Sequence, residues 1–103
     1  MASKQKSAER TVSVYVELFG SARLAVGATS VRVDLPALTT ASTLARRLGT
    51  EYPALIGTAV REDRSGLMSS YTLNLNGESF VDQGEFSIQK GDSLLLFSSQ
   101  SGG

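Results

Sequence analysis

From Thr11 to Phe19 apolar and polar positions alternate. Val12, Val14, Val16 and Leu18 share one face, and Ser13, Tyr15, Glu17 and Phe19 the other. A period of two marks a strand with one face in a core. Gly20 and Ser21 end it, residues 22–26 read as a short apolar–polar turn, and Gly27 closes that turn. Val31, Val33 and Leu35 alternate with Ser30, Arg32 and Asp34, which predicts a second strand. The short connection predicts an antiparallel hairpin.

After Pro36 the period changes. Ala41, Leu44, Ala45 and Leu48 recur at helical spacing and define a buried stripe. Thr39 or Thr40 can cap this helix, because a threonine hydroxyl can accept from a free N–H of the first turn. Arg46 and Arg47 fall off the stripe and read as a solvated face. Gly49 lies near the end, and Pro53 forbids regular continuation. A further helical turn is expected within residues 54–60, with Leu55 and Ile56 covering the core edge. Residues 61–66 form a charged loop.

Tyr71, Leu73 and Leu75 alternate with Thr72 and Asn74 in a third strand. Asn76-Gly77 is the strongest short hairpin signal in the chain, since both residues tolerate positive φ. Residues 78–81 would be its short return, and Asp82-Gln83-Gly84 turns again. Phe86 and Ile88 lead to Lys90-Gly91-Asp92, and four apolar residues, Leu94 to Phe97, form the last strand. The resulting order places one amphipathic helix against one sheet, an α+β layer pair. The first and last strands carry the strongest apolar signals. They are expected side by side and parallel at the centre of a mixed sheet of about five strands.

Composition narrows the function. Lys plus Arg equals Asp plus Glu, ten each, so no net field argues for nucleic acid or a membrane surface. No apolar run is long enough to span a membrane, and residues 1–10 lack the apolar core of a secretory signal; a cytoplasmic protein is expected. The chain has neither Cys nor His. That removes the thiolate nucleophile, the commonest metal ligand and the usual general base at neutral pH. No metal site is expected. Asp63, Arg64 and Asp82 read as turn residues rather than acid–base groups. Three stretches are expected: a disordered tail over residues 1–10, one domain over 11–97, and a flexible tail over 98–103.

That last stretch carries the candidate chemistry. Beyond Phe97 the residues are small or polar and lead to Gly102-Gly103. A Gly-Gly pair lacks Cβ atoms, so its backbone can thread a channel too narrow for other residues. The arrangement offers the Gly103 carboxylate to another protein's active site. Alternation adds a surface beside it. If Val12, Val14, Val16, Leu18, Leu94 and Leu96 face the helix, then Tyr15, Phe19, Leu95 and Phe97 face outward. Phe19 and Phe97, on neighbouring strands, would then form one exposed apolar patch.

The segments VYVELFGSARLAVG (14–27), Leu75-Asn76-Gly77, Lys90-Gly91-Asp92 leading to Leu96-Phe97, and Ser101-Gly102-Gly103 resemble the ubiquitin-like β-grasp sulfur carriers. The nearest likeness is to the molybdopterin synthase small subunit and the small archaeal modifiers, within a family that also includes the thiamine-type carriers. It covers about residues 12–103. It implies a ubiquitin-like β-grasp fold and a carrier rather than an enzyme. An adenylating partner of the ubiquitin-activating type would use ATP to activate Gly103, with Gly102 in the threaded channel, and no cofactor would be held by the chain. The product would be a thiocarboxylate for molybdopterin or related biosynthesis, handed to an acceptor such as the molybdopterin synthase large subunit. A modifier would instead join Gly103 to target-protein lysines. The resemblance also implies that Phe19, Phe97 and Arg23, with Leu95 beside them, contact partner enzymes. Three features depart from it: Ser98-Ser99-Gln100 stands where many relatives have Pro-Pro, the 61–70 loop is longer than in the shortest members, and residues 1–10 have no counterpart in the minimal domain. A plain interaction module is the third reading.

Overall fold

The computed structural model describes residues 10–81 and 84–98. Strand β1 (Thr11–Leu18) leads into helix α1 (Ser21–Val26), strand β2 (Ser30–Pro36) and the short β3 (Leu38–Thr40). Helix α2 (Ala41–Glu51) and a 3-10 turn (Pro53–Leu55) follow. Strands β4 (Tyr71–Leu75), β5 (Ser79–Phe80), β6 (Glu85–Ser87) and β7 (Ser93–Ser98) complete the order.

The main sheet runs β2-β1-β7-β4-β5. β1 and β2 form the expected antiparallel hairpin, and β1 and β7 lie parallel at the centre. Their alternation is resolved as the sequence predicts. Val14, Val16, Leu18, Leu94 and Leu96 are buried on one face, together with Val31, Val33 and Leu35 from β2. Leu44, Ala45 and Leu48 of α2 are fully buried in the same cluster. Burying a Leu or Val side chain contributes roughly 1.5–3 kcal/mol, so this helix–sheet layer is the main source of stability.

Helix α2 starts where expected. Thr40 is extended (φ −136°), and its side-chain oxygen accepts from the Thr43 N–H at 3.1 Å. Pro53 forces the chain out of the α-helix into a single 3-10 turn, with Leu55 buried beneath it. Gly49 sits where the helix meets the segment that follows: a Cβ there would lie 3.4 Å from Ile56 Cγ1 and 3.5 Å from Val60 Cγ1.

Three features differ from the sequence reading. Residues 22–26 belong to a helix, not a turn, because Ala22 is fully buried and holds α1 against the core. Residues 85–87 pair antiparallel with residues 38–40 in a second, two-stranded sheet. The Asn76-Gly77 turn has the expected positive φ angles, 58° and 72°, but its strands pair Leu75 with Ser79 and Asn74 with Phe80. A two-residue loop would have set Phe80 opposite Leu73, on the core side. The extra loop residue, Glu78, sets it opposite Asn74, on the outer side, because a one-residue slip exchanges the faces of a strand.

The turn is also tied to the approach to β7. Asn76 Nδ2 donates to Asp92 Oδ1 at 3.0 Å, and Asn76 Oδ1 accepts from the Ser93 N–H at 2.8 Å. Asp92 Oδ2 accepts from the Gln89 N–H at 2.8 Å. Two motifs sixteen residues apart thus form one hydrogen-bonded latch.

Candidate functional site

The candidate site is the face of the sheet that α2 does not cover. Cross-strand partners share a face, so the register defines its rows. One row runs Ser30, Glu17, Leu95, Asn74, Phe80. The next pairs Phe97 with Thr72, and there the Phe19 N–H extends the parallel ladder by donating to the Leu96 carbonyl at 3.2 Å.

Phe19 and Phe97 are therefore brought together as expected. Their ring centroids are 6.0 Å apart with planes at 84°, an edge-to-face pair. Both are half-buried, as is Leu95. Tyr15 faces the same way and is 58% exposed. Arg23 joins the pair from α1: its guanidinium carbon lies 5.6 Å from the Phe19 ring centroid. Its Nε donates to the Leu18 carbonyl at 3.2 Å. The short helix thus turns Arg23 back over the end of β1, where the cation sits on an aromatic face.

The structure adds Phe80, which sequence reasoning left out. Its ring centroid is 6.1 Å from that of Phe97, and it is 63% exposed. Because β4 lies between β5 and β7, this ring pair spans β4 beside Thr72 and Asn74. The hairpin placed Phe80 in a return strand, but only the three-residue loop puts it on this face. Leu24, next to Arg23 on α1, is 82% exposed.

β7 ends at Ser98, opposite Tyr71. Gly102 and Gly103 lie outside the described residues, as do Asp82 and residues 1–9. Residues 99–103 are five in number and span at most about 17 Å when extended.

The charged loop behaves as a turn. Asp63 Oδ1 accepts from the Ser65 N–H at 2.9 Å, and Arg64 takes φ 64°. Hydrogen bonds from the Ser65 side chain, and next from its backbone, hold the fully exposed Asp63 carboxyl below its ordinary value. Arg46 and Arg47 are exposed, and Arg47 reaches Glu51 at 4.0 Å, a surface pair of little energetic weight. Among the described residues no group of three His, Cys, Asp or Glu could hold a metal ion. Among the same residues no helix is long and apolar enough to cross a membrane.

A mixed sheet with β1 and β7 parallel at its centre and one long helix across one face is the ubiquitin-like β-grasp. Solved structures place the chain more closely. It is similar to small archaeal modifier protein 1 from Haloferax volcanii, at 28% identity and TM-score 0.71, covering 88% of this chain and 99% of that one. The small archaeal modifier protein 1 of Methanosarcina acetivorans has TM-score 0.65 at 20% identity, covering 91% of this chain and 99% of that one. Molybdopterin converting factor, subunit 1, of Pyrococcus furiosus has TM-score 0.60 at 20% identity, covering 84% and 97%. At 20% identity the last two show the shared fold. No family model and no curated protein sequence matches the chain. The resemblance read from the sequence, to ubiquitin-like β-grasp carriers and modifiers, therefore stands on the structure.

Proposed function

We propose that this chain is a sulfur carrier that works through the carboxylate of Gly103. The observation that carries the reading is the cluster of Phe19, Arg23, Phe80 and Phe97 beside the strand that leads to Gly102-Gly103. A carboxylate is a poor electrophile until it gains a leaving group. An adenylating enzyme of the ubiquitin-activating type docks on the aromatic face and draws the diglycine into its active site. There the Gly103 carboxylate attacks the α-phosphorus of ATP, pyrophosphate leaves, and an acyl-adenylate forms. Hydrosulfide delivered by a sulfur donor displaces AMP and leaves a thiocarboxylate, which a second enzyme uses to thiolate a small molecule such as a molybdopterin precursor. The chain supplies the docking face and the tail, holds no cofactor, and works in the cytoplasm.

A second acceptor has its own support. The similar Haloferax volcanii protein is named as a modifier, at 28% identity over nearly its whole length. In that reading a lysine amine of a target protein displaces AMP and forms an isopeptide bond. Intact mass spectrometry of the C-terminal peptide, from protein purified out of its native cell, separates the two. Oxygen-to-sulfur replacement at Gly103 supports the carrier; lysines bearing a Gly-Gly remnant support the modifier. Neither product in cells with an active sulfur pathway would refute both.

A further inference from the structure

One outward-facing residue of the sheet does not match its surroundings. Asn74 pairs across the ladders with Leu95 and Phe80, and the Phe80–Phe97 ring pair spans β4 beside it. It is only 7% exposed, and its Oδ1 is buried without a hydrogen-bond partner. A buried carbonyl left unpaired lowers stability. A branched apolar residue would suit this strand position better, since such side chains pack on a pleated surface with nothing left unpaired. Asn74 is thus a poor choice for folding, set in the middle of the candidate docking face. A buried polar group that the fold does not satisfy asks for an explanation, and the position of this one, within the candidate docking face, supplies a candidate.

We propose that Asn74 is the polar specificity contact of this face, its side-chain carbonyl accepting a hydrogen bond from an N–H donor of the enzyme that acts on Gly103. This rests on the carrier or modifier reading above. The occupant follows from the tether. Residues 99–103 reach at most about 17 Å beyond Ser98, so an enzyme holding Gly103 has its active site within that distance of Ser98, and the body surface beside Ser98 is the part it meets first. Phe97 precedes Ser98 directly, and the Phe19 and Phe80 rings lie 6.0 and 6.1 Å from it. Phe80 is exposed and sits on a two-residue strand. A shift of this ring against a docking partner's apolar group would open a path to Oδ1. The partner chemistry is an apolar segment carrying one N–H, from a backbone amide or a guanidinium. A purely apolar face accepts any apolar partner. A buried acceptor rejects those without a donor, because the carbonyl would stay unpaired in a dry interface.

The test is ATP–pyrophosphate exchange by the purified ubiquitin-activating-type enzyme of the same cell, with the full chain as varied substrate. Asn74→Leu and Asn74→Val are compared with wild type, each checked by circular dichroism. The expected result is an unchanged or higher melting temperature and a KM for the chain raised about tenfold at unchanged kcat. If Asn74→Leu fails to fold, the smaller Asn74→Val carries the comparison. An unchanged KM in a folded variant overturns the proposal alone. Absence of exchange with the wild-type chain overturns the carrier and modifier readings, and this proposal with them.

Discussion

Asn76 combines two duties that a single substitution separates. Its φ of 58° requires a residue that tolerates the left-handed region, and its side chain bonds both Asp92 and the Ser93 N–H. Glycine meets the first requirement and not the second. Asn76→Gly therefore removes one neutral hydrogen bond, worth about 0.5–1.5 kcal/mol, and one to a carboxylate, worth about 1.5–3 kcal/mol when buried. The latch is solvent-exposed, so the second is discounted to about 1 kcal/mol. The expected loss is about 2 kcal/mol. With an unfolding entropy of about 2.1 cal/mol/K per residue, a domain of this size loses about 4–5 °C of Tm per kcal/mol, hence about 9 °C. Thermal unfolding by circular dichroism measures it. A double-mutant cycle with Asp92→Ala should return a coupling of about 1 kcal/mol. The latch lies at the opposite end of β7 from Ser98, so adenylation per folded molecule should not change. A Tm within about 2 °C of wild type would refute the reasoning and leave backbone conformation as the only reason for asparagine here.

Three further outcomes are expected. The pair Phe19→Ala and Phe97→Ala should keep cooperative unfolding while raising the KM for adenylation about tenfold or more, as loss of aromatic anchors does; an unchanged adenylation rate would dismiss the docking role. Gly49→Ala should be tolerated and stabilise α2 by up to about 1 kcal/mol through helix propensity, since its Cβ meets ordinary contact distances of 3.4–3.5 Å; the larger Gly49→Val should destabilise, and denaturant midpoints distinguish them. The Ser65 amide resonance should titrate with Asp63 at a midpoint below the ordinary aspartate value. Because the folded-state value is depressed, the turn's small contribution is present above the unfolded value and is lost as pH falls through the folded one; Asp63→Asn should abolish that titration.

Much of this architecture is local information. Alternation over residues 11–18 and 93–98 decided which side chains face α2, because the period of a strand is two and a one-residue slip would carry the whole apolar set to the solvent face. The stripe of Leu44, Ala45 and Leu48, the Thr40 cap and the stop at Pro53 were legible for the same kind of reason. So was the meeting of Phe19 with Phe97, once β1 and β7 were placed side by side. The second sheet was not: residues 38–40 and 85–87 are three each, too short to show a period, and they pair only because the fold brings them together. Residues 22–26 read as a turn because the burial of Ala22, which secures that helix, comes from distant residues. The latch joins two motifs that were each visible alone, but their bond depends on the β4–β7 register. Phe80 and Asn74 show the limit most plainly. Composition shows only a phenylalanine and an asparagine near a hairpin. One extra loop residue placed the ring on the outer face and left the amide buried beside it, and register of that kind is settled by tertiary packing.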